Sequence, residues 1–364
     1  PNLLIFNLDD AGYGDLGANE GSALAPGDAP HFEALAAESL RLTDFHAAAS
    51  VCTPSRASLL TGRFGMRFGL IAVLVHGDNR GLPFSERTLP EILRDGAGYA
   101  SAMAGKWHLG NGDAHHPSRH GFDETLTMPW SHDMGCFEPW PCSYGADVTK
   151  TLRARGAAFV VEQPAAPWRL GAKYVAFVRG FVDRVTSKRS HAPASPGDRY
   201  RPFFVYVATH APHGPWLPAP EWQRTPAKMT RESPFAAYLD TMAEVDATLG
   251  GVLGAFENVR NDTLVVVTSD NGQLEKMTRN FRTRSNGPFA GGKFSPREGG
   301  HRVMGLLRWP GVIEAGVSHR LTSQLDLLPT FVNLVAPKAL PAVVLDGEDL
   351  GPWLFGDETE ANET

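Results

Sequence analysis

Cysteine is scarce in this sequence, with three residues in 364, too few for a disulfide framework. Two of them, Cys136 and Cys142, bracket the stretch "CFEPWPC", where prolines stiffen the loop. That pair reads either as a local disulfide or as two unpaired thiols. Long apolar runs are lacking as well. A run such as "LIAVLV" (Leu70 to Val75) is far short of the roughly 20 residues a membrane helix needs, so no transmembrane segment is expected. Positive charge is in deficit, with a net charge of −6. Nucleic-acid binding therefore gains no support, and any anion site has to be assembled from locally gathered Lys, Arg and His. A signal peptide is not visible either, because the sequence opens straight into a strand-like run, and the N-terminus says nothing of compartment.

What is present is an ordinary globular composition, 42% hydrophobic and 20% charged, enough for a sizeable core. "NLLIFNLDD" (Asn2 to Asp10) is a nearly continuous apolar run ending in acids, the pattern of a strand buried on both faces. "RPFFVYVATHAPH" and "DTLVVVTSDNG" have the same form. Between such runs lie helical patterns: His31 to Phe45 as a helix passing into a strand, a helix with Leu89, Ile92 and Leu93 inward, Lys173 to Val185, and a long helix from Phe235 to Phe256. Strands alternating with helices predict an α/β fold, a mostly parallel central sheet with helices on both faces. Ligands in such sheets bind beyond the carboxyl ends of the strands, where the polar clusters fall. The stretch from Ser187 to Arg201, rich in Pro, Ser and Arg, reads as a solvated loop.

Several of those clusters suggest chemistry. "DDAGYGDLG" contains the spacing of a dinucleotide motif at Gly12, Gly14 and Gly17. Asp9 and Asp10 would place two negative charges beside a pyrophosphate, however, and no apolar-periodic helix follows. Adjacent carboxylates at a strand end fit a hard cation better. Asp270 and Asn271, at another strand end, add a carboxylate and an amide oxygen, and this oxygen-only set points to Ca2+ or Mg2+ rather than zinc. In "AGKWHLG", Lys106 and His108 are two apart on a predicted strand and so share a face, a pairing suited to an anion. His210 and His213 in "THAPH" and Lys293 in "NGPFAGGK" add cationic or proton-transferring groups. His115, His116 and His120 read as surface residues.

The third cysteine, Cys52, opens "CTPSRASLLTGR". Pro54 fits a first helical turn, so Cys52 stands at a helix entrance, where free N–H groups favour negative charge. That position would lower a thiol pKa and make the residue reactive. A thiolate beside a carboxylate-rich cation site is nevertheless an odd design for acyl chemistry. The alternative is a buried structural cysteine.

Cys52-Thr53-Pro54-Ser55-Arg56 followed by Leu60-Thr61-Gly62-Arg63 resembles the sulfatase signature C-x-P-S-R-x-x-x-L-T-G. "DDAGYGDLG", "GYASAMAGKWHLG", "VATHAPHGP", "TSDNG" and "GGKFSPREGGHR" resemble the other blocks of that family, in its order. "RPFFVYVATHAPH" and "MPWSHDMGC" are most similar to the arylsulfatase A and galactosamine-6-sulfatase branch. The resemblance implies an alkaline phosphatase-like fold and a sulfuric ester hydrolase. Asp9, Asp10, Asp270 and Asn271 would hold a divalent cation, usually Ca2+ with Mg2+ as the alternative, completed by residue 52. Cys52 would be converted to formylglycine by a formylglycine-generating enzyme, and its hydrate would attack sulfur and then expel sulfate. Arg56 would orient the hydrate. Lys106, His108, Ser131 and Lys293 would bind sulfate oxygens, His213 or Lys293 would assist the leaving oxygen, and His210 is the weaker of the two histidines. Glu298 and Arg302 would brace the loop of Lys293.

The same resemblance implies a secreted, periplasmic or lysosome-like setting and a sulfated small molecule, glycolipid or glycan as substrate. Asn261-Asp262-Thr263 adds a glycosylation acceptor pattern. Residues 1–356 read as the catalytic domain and 357–364 as a polar tail, the start of a C-terminal region. Family members usually continue there into a smaller antiparallel subdomain, whereas this sequence stops at Thr364. Competing expectations are a phosphate or phosphonate ester hydrolase of the same superfamily, and a non-catalytic binder of sulfated glycans.

Overall fold

The strand β1 (Asn2–Leu8) sets the architecture. All seven of its residues are buried, because neighbours pair along both edges and helices cover both faces. The computed structural model describes residues 1–75, 77–110, 113–134, 152–154, 160–162, 165–187, 200–223, 234–280 and 283–356. Cys136, Cys142 and the predicted polar tail at 357–364 lie outside the described residues. Further strands are β2 (Leu40–Leu42), β3 (Phe45–His46), β4 (Ala100–Lys106), β5 (Glu124–Met128), β6 (Leu152–Ala154) and β7 (Val160–Glu162). They are followed by β8 (Phe203–Ala208), β9 (Thr263–Ser269), β10 (Gly305–Arg308), β11 (Gly316–Ser318) and β12 (Thr322–Ser323).

Ten of these form one sheet in the order β11-β2-β10-β9-β1-β8-β4-β5-β6-β7. Its centre, from β9 to β5, is parallel throughout. The flanks turn antiparallel, at β10 against β9 and at β6 against β5. The short pair β3 and β12 stands apart. A mostly parallel sheet was the expectation, and the antiparallel margins are what its short, weakly patterned strands add.

The nine described helices are α1 (Pro30–Ala37), α2 (Cys52–Thr61), α3 (Leu89–Ala97), α4 (Leu170–Thr186), α5 (Pro234–Ala255), α6 (Glu275–Asn280), α7 (Glu298–His301), α8 (Leu327–Val335) and α9 (Gly351–Phe355). Alternate residues of the central strands feed two separate cores. Leu4, Phe6, Val205 and Val207 meet Phe32 of α1, Tyr174 and Phe181 of α4, and Met242 and Leu249 of α5. Leu3, Ile5, Phe204 and Tyr206 meet Leu59 of α2, Ile92 and Leu93 of α3, and Leu328 and Phe331 of α8. Each such buried side chain contributes about 1.5–3 kcal/mol of transfer free energy. α3 starts with a capping box, Thr88 N–H donating to the Glu91 carboxylate at 2.9 Å, and ends at Gly98 in the left-handed conformation. Among the described residues no helix is long and apolar enough to cross a membrane.

The Gly12-Gly14 pair has a packing role. A Cβ on Gly12 would lie 2.3 Å from the Ser285 carbonyl oxygen, and one on Gly14 2.4 Å from that of Arg284. The glycines let the 283–287 segment lie directly on the loop that follows β1, and Gly14 N–H donates to the Ser285 carbonyl at 2.6 Å. Gly14→Ala must push backbone from backbone, and we expect a loss of roughly 1–3 kcal/mol of stability. A chemical denaturation midpoint equal to that of the unsubstituted protein would show the approach to be looser than described.

Candidate active site

Four parallel strands deliver the polar groups to one edge. Asp9 and Asp10 follow β1, Lys106 closes β4, Thr209 and His210 follow β8, and Asp270 and Asn271 follow β9. Ser131 stands three residues beyond β5. Cys52 is the first residue of α2, a helix whose ten residues are all buried. Asp10 adopts φ 60° and His108 φ 57°, left-handed conformations uncommon for residues with a Cβ. Strain of this kind gathers where the fold must aim a side chain.

Three carboxylates and three cations interlock. Lys106 Nζ donates to Asp9 at 2.7 Å and 3.0 Å and to Ser131 Oγ at 3.2 Å. Arg56 donates to Asp270 Oδ2 at 2.8 Å through Nε and to the Lys106 carbonyl at 2.9 Å. Lys293 Nζ lies 2.7 Å from Asp10, and His213 Nε2 lies 3.4 Å from the same carboxylate. The Cys52 sulfur sits among them, 3.7 Å from Asp9, 4.0 Å from Asp10 and 3.6 Å from Lys106 Nζ. Isolated charges could not be buried in this way. Burial alone would push the Asp9 carboxyl up, but Lys106, His213 and Arg56 outweigh it and hold it well below the usual carboxylate range. Burial works against the Arg56 charge too, and Asp270 and Asp9 more than compensate, so its pKa rises.

The thiol behaves otherwise than its place at a helix entrance predicts. Burial, reinforced by the Asp270 carboxylate, pushes the Cys52 pKa up, so the free side chain is a protonated thiol and not a thiolate. The helix end cannot offset desolvation and two neighbouring carboxylates.

Ligand atoms of Asp9, Asp10, Cys52 and Asp270 all lie within 4.8 Å of one another. The Asn271 amide oxygen is buried beside them without a hydrogen-bond partner, while its Nδ2 donates to Asp10 at 2.7 Å. A buried orphan oxygen next to three carboxylates fits a hard divalent cation. Asp9, Asp10, Asp270, Asn271 and residue 52 are thus the side chains that could hold one.

Other expectations need adjustment. β4 ends at Lys106, so strand alternation does not govern His108. The His108 Nε2 bonds the Leu74 carbonyl at 2.8 Å, its Nδ1 is unpartnered, and burial with Lys106 drives its pKa well below normal, leaving a neutral imidazole. His210, the weaker of the two histidines in "THAPH", lies against Tyr174 and His132. His120 and His116 are buried, not surface residues. His120 packs against Trp107 and Phe84, because the 113–120 segment folds back on the loop after β4 and the start of α3, where Thr88 Oγ1 donates to the His120 carbonyl at 2.7 Å. Lys293 is also buried. Arg302 pairs with Glu298 at 2.8 Å and lies over Phe289, as bracing requires.

His132 escaped notice although it follows Ser131 in "MPWSHDMGC". Its ring stands 5.1 Å from that of His210 and 5.5 Å from that of His213, edge to face with both. Gln324 was equally invisible. It ties Ser55 of α2 at 3.0 Å to Thr268 of β9 at 3.2 Å, and nothing in its sequence neighbourhood signals that bridge.

Comparison with known proteins gives a consistent picture. The family model described as Sulfatase matches residues 1–336. Arylsulfatase A of Homo sapiens is 40% identical over 371 residues, covering 98% of this chain and 68% of the relative. N-acetylgalactosamine-6-sulfatase of Mus musculus is 34% identical, covering 98% of this chain and 66% of the relative. Among solved structures, a sulfatase from Pseudoalteromonas sp. superposes with a TM-score of 0.78 at 26% identity, covering 98% of this chain and 72% of that one.

The buried histidines imply a pH dependence of stability. Burial lowers the pKa of His120 from 6.5 to about 4 and, with His213, that of His132 from 6.5 to about 4. Both folded values are depressed, so the stability these neutral rings confer is fully present above the unfolded value and lost as pH falls toward the folded one. Urea unfolding should therefore show stability declining from about pH 6.5 to about pH 4. His120→Phe should remove about one proton from that slope, and an unchanged slope would contradict the assignment.

Proposed function

The chain belongs to the sulfatase family and is a sulfuric ester hydrolase, and from that premise we propose that Cys52 is the precursor of its nucleophile. The observation that carries this is the position of Cys52 at the start of α2, its sulfur 3.6 Å from Lys106 Nζ and within 4.0 Å of Asp9 and Asp10. A protonated, buried thiol is a poor nucleophile, which supports a modified rather than a native cysteine. Formylglycine at residue 52, made by a separate maturing enzyme, would supply as its hydrate the hydroxyl that attacks sulfur and the second hydroxyl through which sulfate departs. A divalent cation, Ca2+ by preference, held by Asp9, Asp10, Asp270, Asn271 and residue 52, would supply Lewis-acid stabilisation of the charge that develops on the sulfate oxygens.

The chain's own side chains carry the rest. Lys106 and Ser131, 3.2 Å apart, present a cation and a hydroxyl on the β4–β5 side of residue 52 and bind sulfate oxygens. Lys293 and His213 converge on Asp10 from the other side and protonate or stabilise the leaving oxygen. Arg56 is a positioning residue: its guanidinium is spent on Asp270 and the Lys106 carbonyl, and it fixes the carboxylates around residue 52. Neutral His108, its Nε2 engaged by the Leu74 carbonyl, leaves only Nδ1 without a partner. Such preorganised groups are worth most where charge develops in a dry site. The substrate is a sulfate ester, and a sulfated sugar, glycolipid or small aryl ester suits the site. A secreted, periplasmic or lysosome-like compartment follows from the same reading.

We expect aryl sulfate turnover to exceed aryl phosphate turnover in protein whose residue-52 peptide has the mass of formylglycine. Clear phosphate turnover with sulfate left intact would overturn the reading. Cys52→Ala should abolish sulfate release, and Lys293→Ala should lower kcat by about 100- to 1,000-fold. Chelation with EDTA should remove activity and lower the melting temperature, with Ca2+ or Mg2+ restoring both. Full activity and an unchanged melting temperature after chelation would refute the cation site.

A further inference from the structure

A second group of metal-binding side chains lies outside the cluster around Cys52. Candidate ligand atoms of His46, Glu298 and His301 are all within 4.8 Å of one another. His46 closes β3, six residues before Cys52, while Glu298 and His301 are three apart on α7 and so share a helix face. The two imidazole rings are tilted at 36° with centroids 5.2 Å apart, and His46 Nε2 is 3.4 Å from Glu298 Oε2.

We propose that His46, Glu298 and His301 form a second cation site, selective for a transition divalent ion such as zinc, which ties the approach to Cys52 to the loop that delivers Lys293. Two imidazoles and one carboxylate are a donor set that suits Zn2+ and discriminates against Ca2+. This is the reverse of the oxygen-rich set at Asp9, Asp10, Asp270 and Asn271. Further groups lie close by. Asp44 Oδ1 is 3.6 Å from His46 Nδ1, an ionic contact longer than a hydrogen bond, and Nε2 faces Glu298. The Pro296 carbonyl is 3.2 Å from His301 Nε2 and leaves Nδ1 as the ligand atom. Arg302 pairs with both Glu298 and Asp44 and orients the two carboxylates. Its positive charge tempers the attraction for cations in general, so selectivity falls to the imidazoles. All three ligand side chains are half-buried, and an open cavity of about 550 Å³ lined in part by His46 and His301 provides an entry path.

The site stands where it could matter. Ala47 N–H donates to the His301 carbonyl at 2.8 Å, and Phe294 N–H to that of Ser50 at 2.9 Å. Gly272, next to Asn271, donates to the Gly300 carbonyl at 3.0 Å. An ion on His46, Glu298 and His301 would cross-link the same two segments by side chains. The inference does not depend on the sulfate ester reading.

The test is calorimetric titration of the whole chain with ZnCl2 in saturating Ca2+, with melting curves recorded alongside. The unsubstituted protein should bind one Zn2+ and melt at a higher temperature. His46→Ala and His301→Ala should each weaken Zn2+ binding at least about tenfold and remove the zinc-induced increment, each variant being compared with its own zinc-free form. Cys52→Ala, which removes the soft donor of the other cluster, should retain both effects. Unaltered Zn2+ binding in the two histidine variants, loss of binding in Cys52→Ala, or no Zn2+ uptake by the unsubstituted protein would each overturn the proposal.

Discussion

Mutual neutralisation of three buried carboxylates by three buried cations is the constraint on which the rest of this structure depends. Asp9, Asp270, Arg56 and Lys106 are removed from water almost completely, with Asp10 and Lys293 nearly so. Burying such charges costs several kcal/mol per ion unless partners are in place. The fold meets that requirement by bringing strand ends together. Asp9 and Asp10 arrive on β1, Asp270 on the neighbouring β9, and Lys106 on β4, one strand beyond β8. Only a parallel arrangement delivers all these ends to one edge, and it needs helices on both faces to cover its apolar strands.

The same constraint shapes the chemistry. A site already balanced in charge can accept a divalent ion and an anionic ester together, since one adds positive and the other negative charge. It also explains why Cys52 keeps its proton. The helix entrance favours an anion, but desolvation and Asp270 outweigh it. Glycines and strained residues serve this geometry. Gly12 and Gly14 admit the 283–287 segment, and the left-handed turn at Asp10 sets the direction of a carboxylate that meets Lys293, His213 and Asn271 at once.

Much of this was legible in the chain. Apolar runs ending in Asp9-Asp10, Lys106, His210 and Asp270-Asn271 marked strands with polar ends, and local patterns sufficed because a strand buried on both faces must read that way. The lead helix of the site was visible in Pro54 and the residues after it. Less legible were features set by pairs distant in sequence. The depressed pKa of His108 follows from Lys106 and burial together, the burial of His120 from packing against Trp107, and the bridge made by Gln324 from a separation of 269 residues to Ser55.

The sequence by itself determined the apolar strands with polar ends and the proline-led helix that opens at Cys52, because periodicity, proline placement and motif spacing are local properties. Only the tertiary structure decided which of them meet, which are charged and which are silent. His210 and His213 are three residues apart, yet one faces Tyr174 and the other Asp10. His46 and His301, 255 positions apart and unremarkable in the chain, share one helix-side corner. The reason is physical: desolvation, ion pairing and ligand geometry depend on distances in space, and those exist only once the strands have paired.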